Sequence, residues 1–267
     1  MSMPNERELR GYVDFAVEIA QQAGALTLAY FNCGTPHELK ADQTPVTAAD
    51  RGAEQRLRER IETAWPDHGI VGEEFGEKPG VEPVRWILDP IDGTISFISG
   101  VPLYSVLVGL EWAGEMIAGV IHMPALAETV YAGRGLGCFW NGRSARVSDV
   151  GELSAARLLT TGTKSFGKYG RRAAYGRVRD ACKMDRGWCD GYAYALLATG
   201  RAEIVLDPIM SVWDTAALLP VVTEAGGTFT DWSGVTTHTA PEAVGTNGRL
   251  LGAVLEMLTE PDAGRSG

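Results

Sequence analysis

What this 267-residue chain lacks narrows its chemistry before any motif is read. Its four cysteines, Cys33, Cys138, Cys182 and Cys189, form no C-x-x-C pair. A chain of this size needs no covalent staples, so they read as reduced thiols of a cytoplasmic protein. The four histidines, His37, His68, His122 and His238, are scattered without zinc spacing, so any metal is expected on oxygen ligands. Positive charge is in deficit: 24 Lys and Arg stand against 34 Asp and Glu, a formal net charge of −10. A nucleic-acid partner held by phosphate neutralisation is therefore not expected. An anionic substrate would have to be met by metal ions or by a cradle of backbone N–H groups. No window approaches the roughly 18 apolar residues of a membrane span, and no apolar run follows the charges of the first eleven residues. Neither a membrane partner nor a signal peptide is expected. The G-x-x-x-x-G-K-[ST] loop of P-loop NTPases is missing too. The run GRGLG at Gly133–Gly137 is no dinucleotide fingerprint and reads as a turn between antiparallel strands.

What is present is ordinary in bulk, with 45% hydrophobic and 22% charged residues, and enough chain for one large α/β domain or two lobes. Val13, Ala16, Val17, Ala20 and Ala23 share a helical face, which predicts a helix over about 8–31. A second starts at Thr47, points Ala53, Leu57, Ile61 and Ala64 inward, and stops at Pro66. Short strands are predicted at Ile70-Val71 and Val84–Leu88. From Tyr104 to about Val147 the runs YSVLVGLEW, EMIAGVIHM and ETVYAGR read as strands, with a hairpin at Asn141-Gly142. Beyond residue 150 the pattern alternates. A strand at RLLTTG, helices near 169–181 and over GYAYALLATG, and a strand at AEIVLD lead to a helix from Asp214 to Ala225 and a last one carrying Leu251, Val254, Leu255 and Leu258. Only the tail PDAGRSG looks loose. This is a layered α/β protein, one domain over 1–267 made of two packed halves, about 1–150 and 151–267.

The acids carry the chemistry. Asp50 alone would be the third residue of a capping box begun by Thr47. Glu73 and Glu74 alone would be solvated loop charges, and Asp214 alone a helix-cap acid. The stretch WILDPIDGT, Trp86–Thr94, is different: an apolar strand runs straight into Asp89 and Asp92. Proline fixes a tight turn there, and Gly-Thr lets backbone N–H groups approach an anion. Two carboxylates so placed repel unless a cation sits between them. Oxygen donors from several segments suit Mg²⁺, which shares its shell with carboxylates, phosphate and water. The spacing is D-x-x-D, not the D-x-D of haloacid-dehalogenase phosphatases.

Taken in order, TPVTAAD, GEE, WILDPIDGT and WDTAALLPVVTEAGG resemble the inositol-monophosphatase superfamily of Mg²⁺-dependent phosphatases, over nearly the whole chain. The resemblance implies a layered αβαβα sandwich with its active site between two halves. It implies that Glu73, Asp89 and the carbonyl of Ile91 hold a first Mg²⁺, and that Asp89, Asp92 and Asp214 hold a second, with a third ion near Glu73. Thr94 and Glu73, with Asp50 behind them, would orient and deprotonate the attacking water. Backbone N–H groups of Gly93 and Thr94 would hold the phosphate of a small phosphate monoester. A homodimer is usual in the family.

The segment RGWCDGYAYALLATGRAE resembles the histidinol-phosphatase branch of that superfamily, in place of the small-residue stretch of the inositol branch. Histidinol phosphate carries an ammonium and an imidazole, so its pocket should offer carboxylates. Asp190 and Asp207 are the candidates, against a plain helix-capping role for Asp190 and a turn role for Asp207. Ile95 departs from the branch, which usually has Lys there, and removes a positive charge near the phosphate. Two rivals remain: an inositol- or sugar-phosphate phosphatase on the same scaffold, and a non-catalytic Mg²⁺-binding regulatory protein.

Overall fold

A computed structural model describes residues 3–40, 45–188 and 190–260 of the chain. Cys189 and the PDAGRSG tail lie outside them. Helix α1 (Glu6–Leu28) opens at Asn5, whose side chain accepts from the Glu8 N–H while the Glu8 carboxylate accepts from the Asn5 N–H. A small antiparallel pair, β1 (His37–Leu39) and β2 (Pro45–Thr47), precedes helix α2 (Ala48–Ala64).

Eight strands form the first sheet: β3 (Gly69–Gly72), β4 (Gly76–Lys78), β5 (Val84–Asp92), β6 (Ser105–Trp112), β7 (Glu115–Met123), β8 (Glu128–Gly133), β9 (Gly137–Trp140) and β10 (Arg143–Ala145). Their order is β10-β9-β8-β7-β6-β5-β3-β4, antiparallel except between β3 and β5. Strand side chains alternate between faces. Trp86, Leu88, Val106 and Val108 therefore join α1 and α2 in one core, while Leu107, Ile121, Val130 and Ala132 enter another on the opposite face. The Asn141-Gly142 hairpin forms as expected, with φ of 47° and 80°, the left-handed pair that a two-residue turn needs.

A short helix α3 (Thr94–Ile98) follows β5. Past residue 150 come β11 (Arg157–Leu159), α4 (Thr163–Lys168), α5 (Arg172–Ala181), β12 (Met184–Arg186), α6 (Gly191–Ala198) and β13 (Ile204–Asp207). Then follow α7 (Val212–Thr215), α8 (Leu218–Glu224), β14 (Thr228–Thr230), β15 (Ala243–Thr246) and α9 (Leu251–Thr259). The second sheet is ordered β12-β11-β13-β15-β14. Leu159 and Val205 face α6 and α8, and Leu158 and Ile204 face α5 and α9. The layers run α1/α2, first sheet, α6/α7/α8, second sheet, α5/α9: an α/β sandwich of five layers.

The helix expected over Asp214–Ala225 is two helices, broken at Ala216-Ala217. Pro220 has no N–H to give the Ala216 carbonyl, so one continuous ladder is impossible. The junction lies flush on the first sheet because Gly109 and Gly119, paired across β6 and β7, leave room for it. A Cβ on Gly119 would lie 2.1 Å from the Ala217 carbonyl oxygen, and one on Gly109 would lie 2.9 Å from the Ala216 Cβ. This glycine floor fixes where α7, and hence Asp214, meets β5.

Candidate active site

Asp89 and Asp92 are three residues apart in one strand, and on a regular strand they would face opposite sides. They do not, because Asp89 pairs with Leu107 while Asp92 pairs with Ser105: three residues on β5 match two on β6. That one-residue bulge, at Pro90-Ile91, turns both carboxylates toward the middle layer. Proline suits the bulge, having no ladder N–H to lose there. The Asp89 carboxylate accepts from the Ile91 N–H at 3.0 Å, and Gly93 then takes φ 86° to start α3. The Thr94 hydroxyl donates to the Ile91 carbonyl at 3.1 Å and lies 3.5 Å from Asp50 Oδ1.

Asp50 caps α2 and also reaches Thr94. Its Oδ2 accepts from the Thr47 N–H at 2.8 Å and the Thr47 hydroxyl at 2.6 Å, the capping box, while its other oxygen faces Thr94. Asp214 comes from the second half, in the first turn of α7, where its Oδ2 accepts from the Ser211 N–H at 2.7 Å. Ile87, Met116 and Ala216 pack α7 onto β5, with Val212 and Trp213 against them. Helix α6 reaches the same place: the Gly191 N–H and the Ser105 hydroxyl both donate to Asp92 Oδ2, at 2.5 and 2.7 Å. A Cβ on Gly191 would collide with both partners, at 2.7 and 2.5 Å, so this approach needs glycine.

Asp89, Asp92 and Asp214 each offer an oxygen within 4.8 Å of the others. Burial, then the surrounding acids Glu73, Asp92 and Asp214, hold the Asp89 carboxyl well above the usual carboxylate range. Burial and Asp190 do the same to Asp92, and burial and Asp92 push Asp214 up to about 7. Such a group tolerates its own charge only with protons or a cation among the oxygens. An all-oxygen donor set, two carboxylates from β5 and one from α7, fits a hard divalent cation.

Glu73 stands just beyond β3, and Lys40 bridges it to Glu74 at 2.7 and 2.5 Å. Lys40 escaped the sequence reading, since nothing in its spacing ties it to residues 33 positions away. Asp190 makes no side-chain cap bond to α6 and holds φ 53°, ψ −144°, a backbone state costly for any residue but glycine. Its Oδ2 lies 2.6 Å from where a Cβ on Gly93 would stand, beside the Gly-Thr turn. Asp207, at the end of β13, is buried and accepts from the Thr161 N–H at 3.1 Å and the Tyr194 hydroxyl at 3.0 Å. The two differ in reach: Asp190 borders Asp92 and Gly93, while Asp207 sits deeper, with one donor already on each oxygen. Ile95 points outward and is 70% exposed.

Buried acids from both halves, gathered at the end of a bulged strand between two sheets, mark the class of cation-assisted hydrolases. The family model for the inositol monophosphatase family matches residues 8–260. A histidinol-phosphatase of Chlorobaculum parvum is 46% identical over 223 residues, covering 83% of this chain and 86% of its own. One from Mycobacterium tuberculosis is 38% identical over 249 residues, covering 91% and 96%. Among solved structures, the extragenic suppressor protein suhB of Bartonella henselae superposes with a TM-score of 0.88 at 28% identity, over 94% of this chain and 99% of that one. The chain belongs to the inositol monophosphatase family, whose members are metal-dependent phosphoric monoester hydrolases. The fold class expected from the sequence is the one observed, and no helix among the described residues is long and apolar enough to cross a membrane.

Proposed function

We propose that this phosphatase hydrolyses L-histidinol phosphate to L-histidinol and phosphate, in histidine biosynthesis. The observation that carries the reading is the Asp190 carboxylate beside Gly93. In this reading the Gly93 and Thr94 N–H groups hold the phosphate, so an acid at that point would repel the substrate's own charge. It is tolerable where cations flank it, at Asp92 on one side and in the substrate's ammonium and imidazole on the other. A polyol phosphate, whose head is uncharged, supplies no such partner. The relatives named histidinol-phosphatase support the same substrate.

Glu73, Asp89, Asp92, Asp214 and the Ile91 carbonyl would hold two to three Mg²⁺ ions. When bound, the ions supply the positive charge that activates water and offsets phosphate charge in phosphoryl transfer. Thr94, Glu73 and Asp50 orient the water and take its proton. Water oxygen joins phosphorus as the ester P–O bond breaks, and the leaving alkoxide takes up a proton. Asp207 completes the floor of the substrate pocket, its oxygens each keeping a lone pair beyond the two protein donors. The protein is proposed to act as a cytoplasmic homodimer, each chain one unit of two packed halves.

The test is phosphate release from a panel of histidinol phosphate, inositol 1-phosphate, fructose 1,6-bisphosphate and adenosine 3′,5′-bisphosphate. Histidinol phosphate should give the highest kcat/KM. Asp190→Ala should lower kcat/KM on it about ten- to a hundredfold, the loss of one charge-assisted contact, with little change on p-nitrophenyl phosphate. Preference for inositol 1-phosphate, or equal losses on both test substrates, would end the histidinol reading.

A further inference from the structure

We propose that Glu54 is a positioning residue of the metal site, pinning the Glu73-Glu74 turn at the depth from which Glu73 reaches a cation. The proposal rests on the reading of Glu73 as a metal ligand. Glu54 lies in α2, one turn after Asp50, and is fully buried. Its Oε2 accepts from the Glu74 N–H at 2.7 Å, and its Oε1 accepts from the Phe75 N–H at 3.2 Å and from Arg58 Nε at 2.7 Å.

The space for this carboxylate exists only because residue 72 is glycine: a Cβ there would lie 2.1 Å from Glu54 Oε1. The backbone of Glu73 is thus held from both sides. Its own N–H donates to the Leu88 carbonyl at 3.3 Å, one residue before Asp89, and the next two amides are tied to Glu54. Something must hold it, because Glu73 and Asp89 repel. Lys40 offsets part of that repulsion at the side chain, and the amide bonds to Glu54 fix the backbone of the turn. A buried ion pair such as Glu54–Arg58 is seldom the most stable way to fill a core. Here it aims two strong acceptors at a turn that carries two further acids. One helix therefore serves both sides of the site, Asp50 toward Thr94 and Glu54 toward Glu73.

The test measures metal binding apart from turnover. By calorimetry with MgCl2 or MnCl2 alone, Glu54→Gln and Gly72→Ala should each weaken binding about tenfold, the low end of what losing a ligand's supporting partner costs. Amide hydrogen exchange at Glu74 and Phe75 should quicken in both, and turnover should recover to within a few-fold at saturating Mg²⁺. Leu57→Ala, which opens the same helix's core contact elsewhere, should lower Tm and leave the metal affinity unchanged. In wild-type protein the coupling must run both ways, so Mg²⁺ should slow exchange at those two amides. That measurement stands even if a variant fails to fold, and unchanged exchange would overturn the proposal. Wild-type metal affinity in Glu54→Gln, with Glu73→Gln weakened, would remove Glu54's role and leave the ligand reading intact. Weakening in Glu54→Gln with none in Glu73→Gln would overturn the ligand reading and, with it, the route proposed here.

Discussion

Asp92 and Asp207 are both buried carboxylates at strand ends, one in each sheet, and they differ in their company. Asp207 takes one donor on each oxygen, and burial raises its pKa against the pull of those hydrogen bonds alone. Asp92 takes its two donors on the same oxygen, and Asp190 and Glu73 push its pKa higher still. Asp207 needs no cation, whereas Asp92 has negative neighbours that only a proton or a cation can offset. Burial alone therefore does not mark a cation site. A surplus of like charge, held in place by the fold, does.

The hardest way to break this contrast is at Asp92. Asp92→Asn should cost at least about a thousandfold in kcat at saturating Mg²⁺, the upper range for removing one group that stabilises the transition-state charge. The EDTA-treated variant should nevertheless unfold no earlier than EDTA-treated wild type, because one repelling charge is gone. Wild-type-like turnover would sink the assignment of Asp92 to the cation.

Asp207→Ala should do the reverse. It strands the fully buried Tyr194 hydroxyl, which costs about 1–3 kcal/mol when unpaired, while the N–H of exposed Thr161 can turn to water. Urea unfolding should show a loss at the upper end of that range, about 2–3 kcal/mol, with or without metal, and a metal affinity that does not move. A destabilisation that vanishes on adding Mg²⁺ would put Asp207 with the cation ligands instead.

The smallest effect lies at His122, buried against Gly24 with Nδ1 2.9 Å from the Thr129 hydroxyl. Burial lowers its pKa to about 4 from the ordinary 6.5. The unfolded chain then takes up a proton before the folded one does, so this contribution is complete above pH 6.5 and is lost as pH falls toward 4. Between pH 8 and 5 it amounts to about 2 kcal/mol. The acid cluster pulls the other way, so the measure is the difference between wild type and His122→Gln in urea midpoints at the two pH values. A pH dependence identical in the two proteins would show that His122 takes up its proton as readily in the fold as in the unfolded chain.

Much of this could be read from the residues in order. Helix α1 and helix α2 follow their apolar faces to within three residues of expectation, but the tight turn expected at Pro90 is instead a bulge within a continuing strand. Strand β5 runs on to Asp92, beyond the Leu88 expected, because the sheet resumes after the bulge. Strands β12, β14 and β15 went unread, since three or four residues are too few for a period to declare itself. The break between α7 and α8 was legible at Pro220. Glu54 was not, because a glutamate four residues before an arginine on a helix reads as a surface pair. Only the packing of α2 against the β3 turn reveals that it faces inward.

The paired glycines of β6 and β7 bear on the order in which the molecule comes into being. Asp89 and Asp92 lie within one early sheet, but Asp214 reaches them only when the Ala216-Ala217 junction settles onto Gly109 and Gly119, more than a hundred residues after β5. Contacts across such a separation close late, after local helices and hairpins have formed. During refolding, helical signal should thus return before affinity for the cation does. A chain stalled short of that last docking would be largely structured and wholly inert.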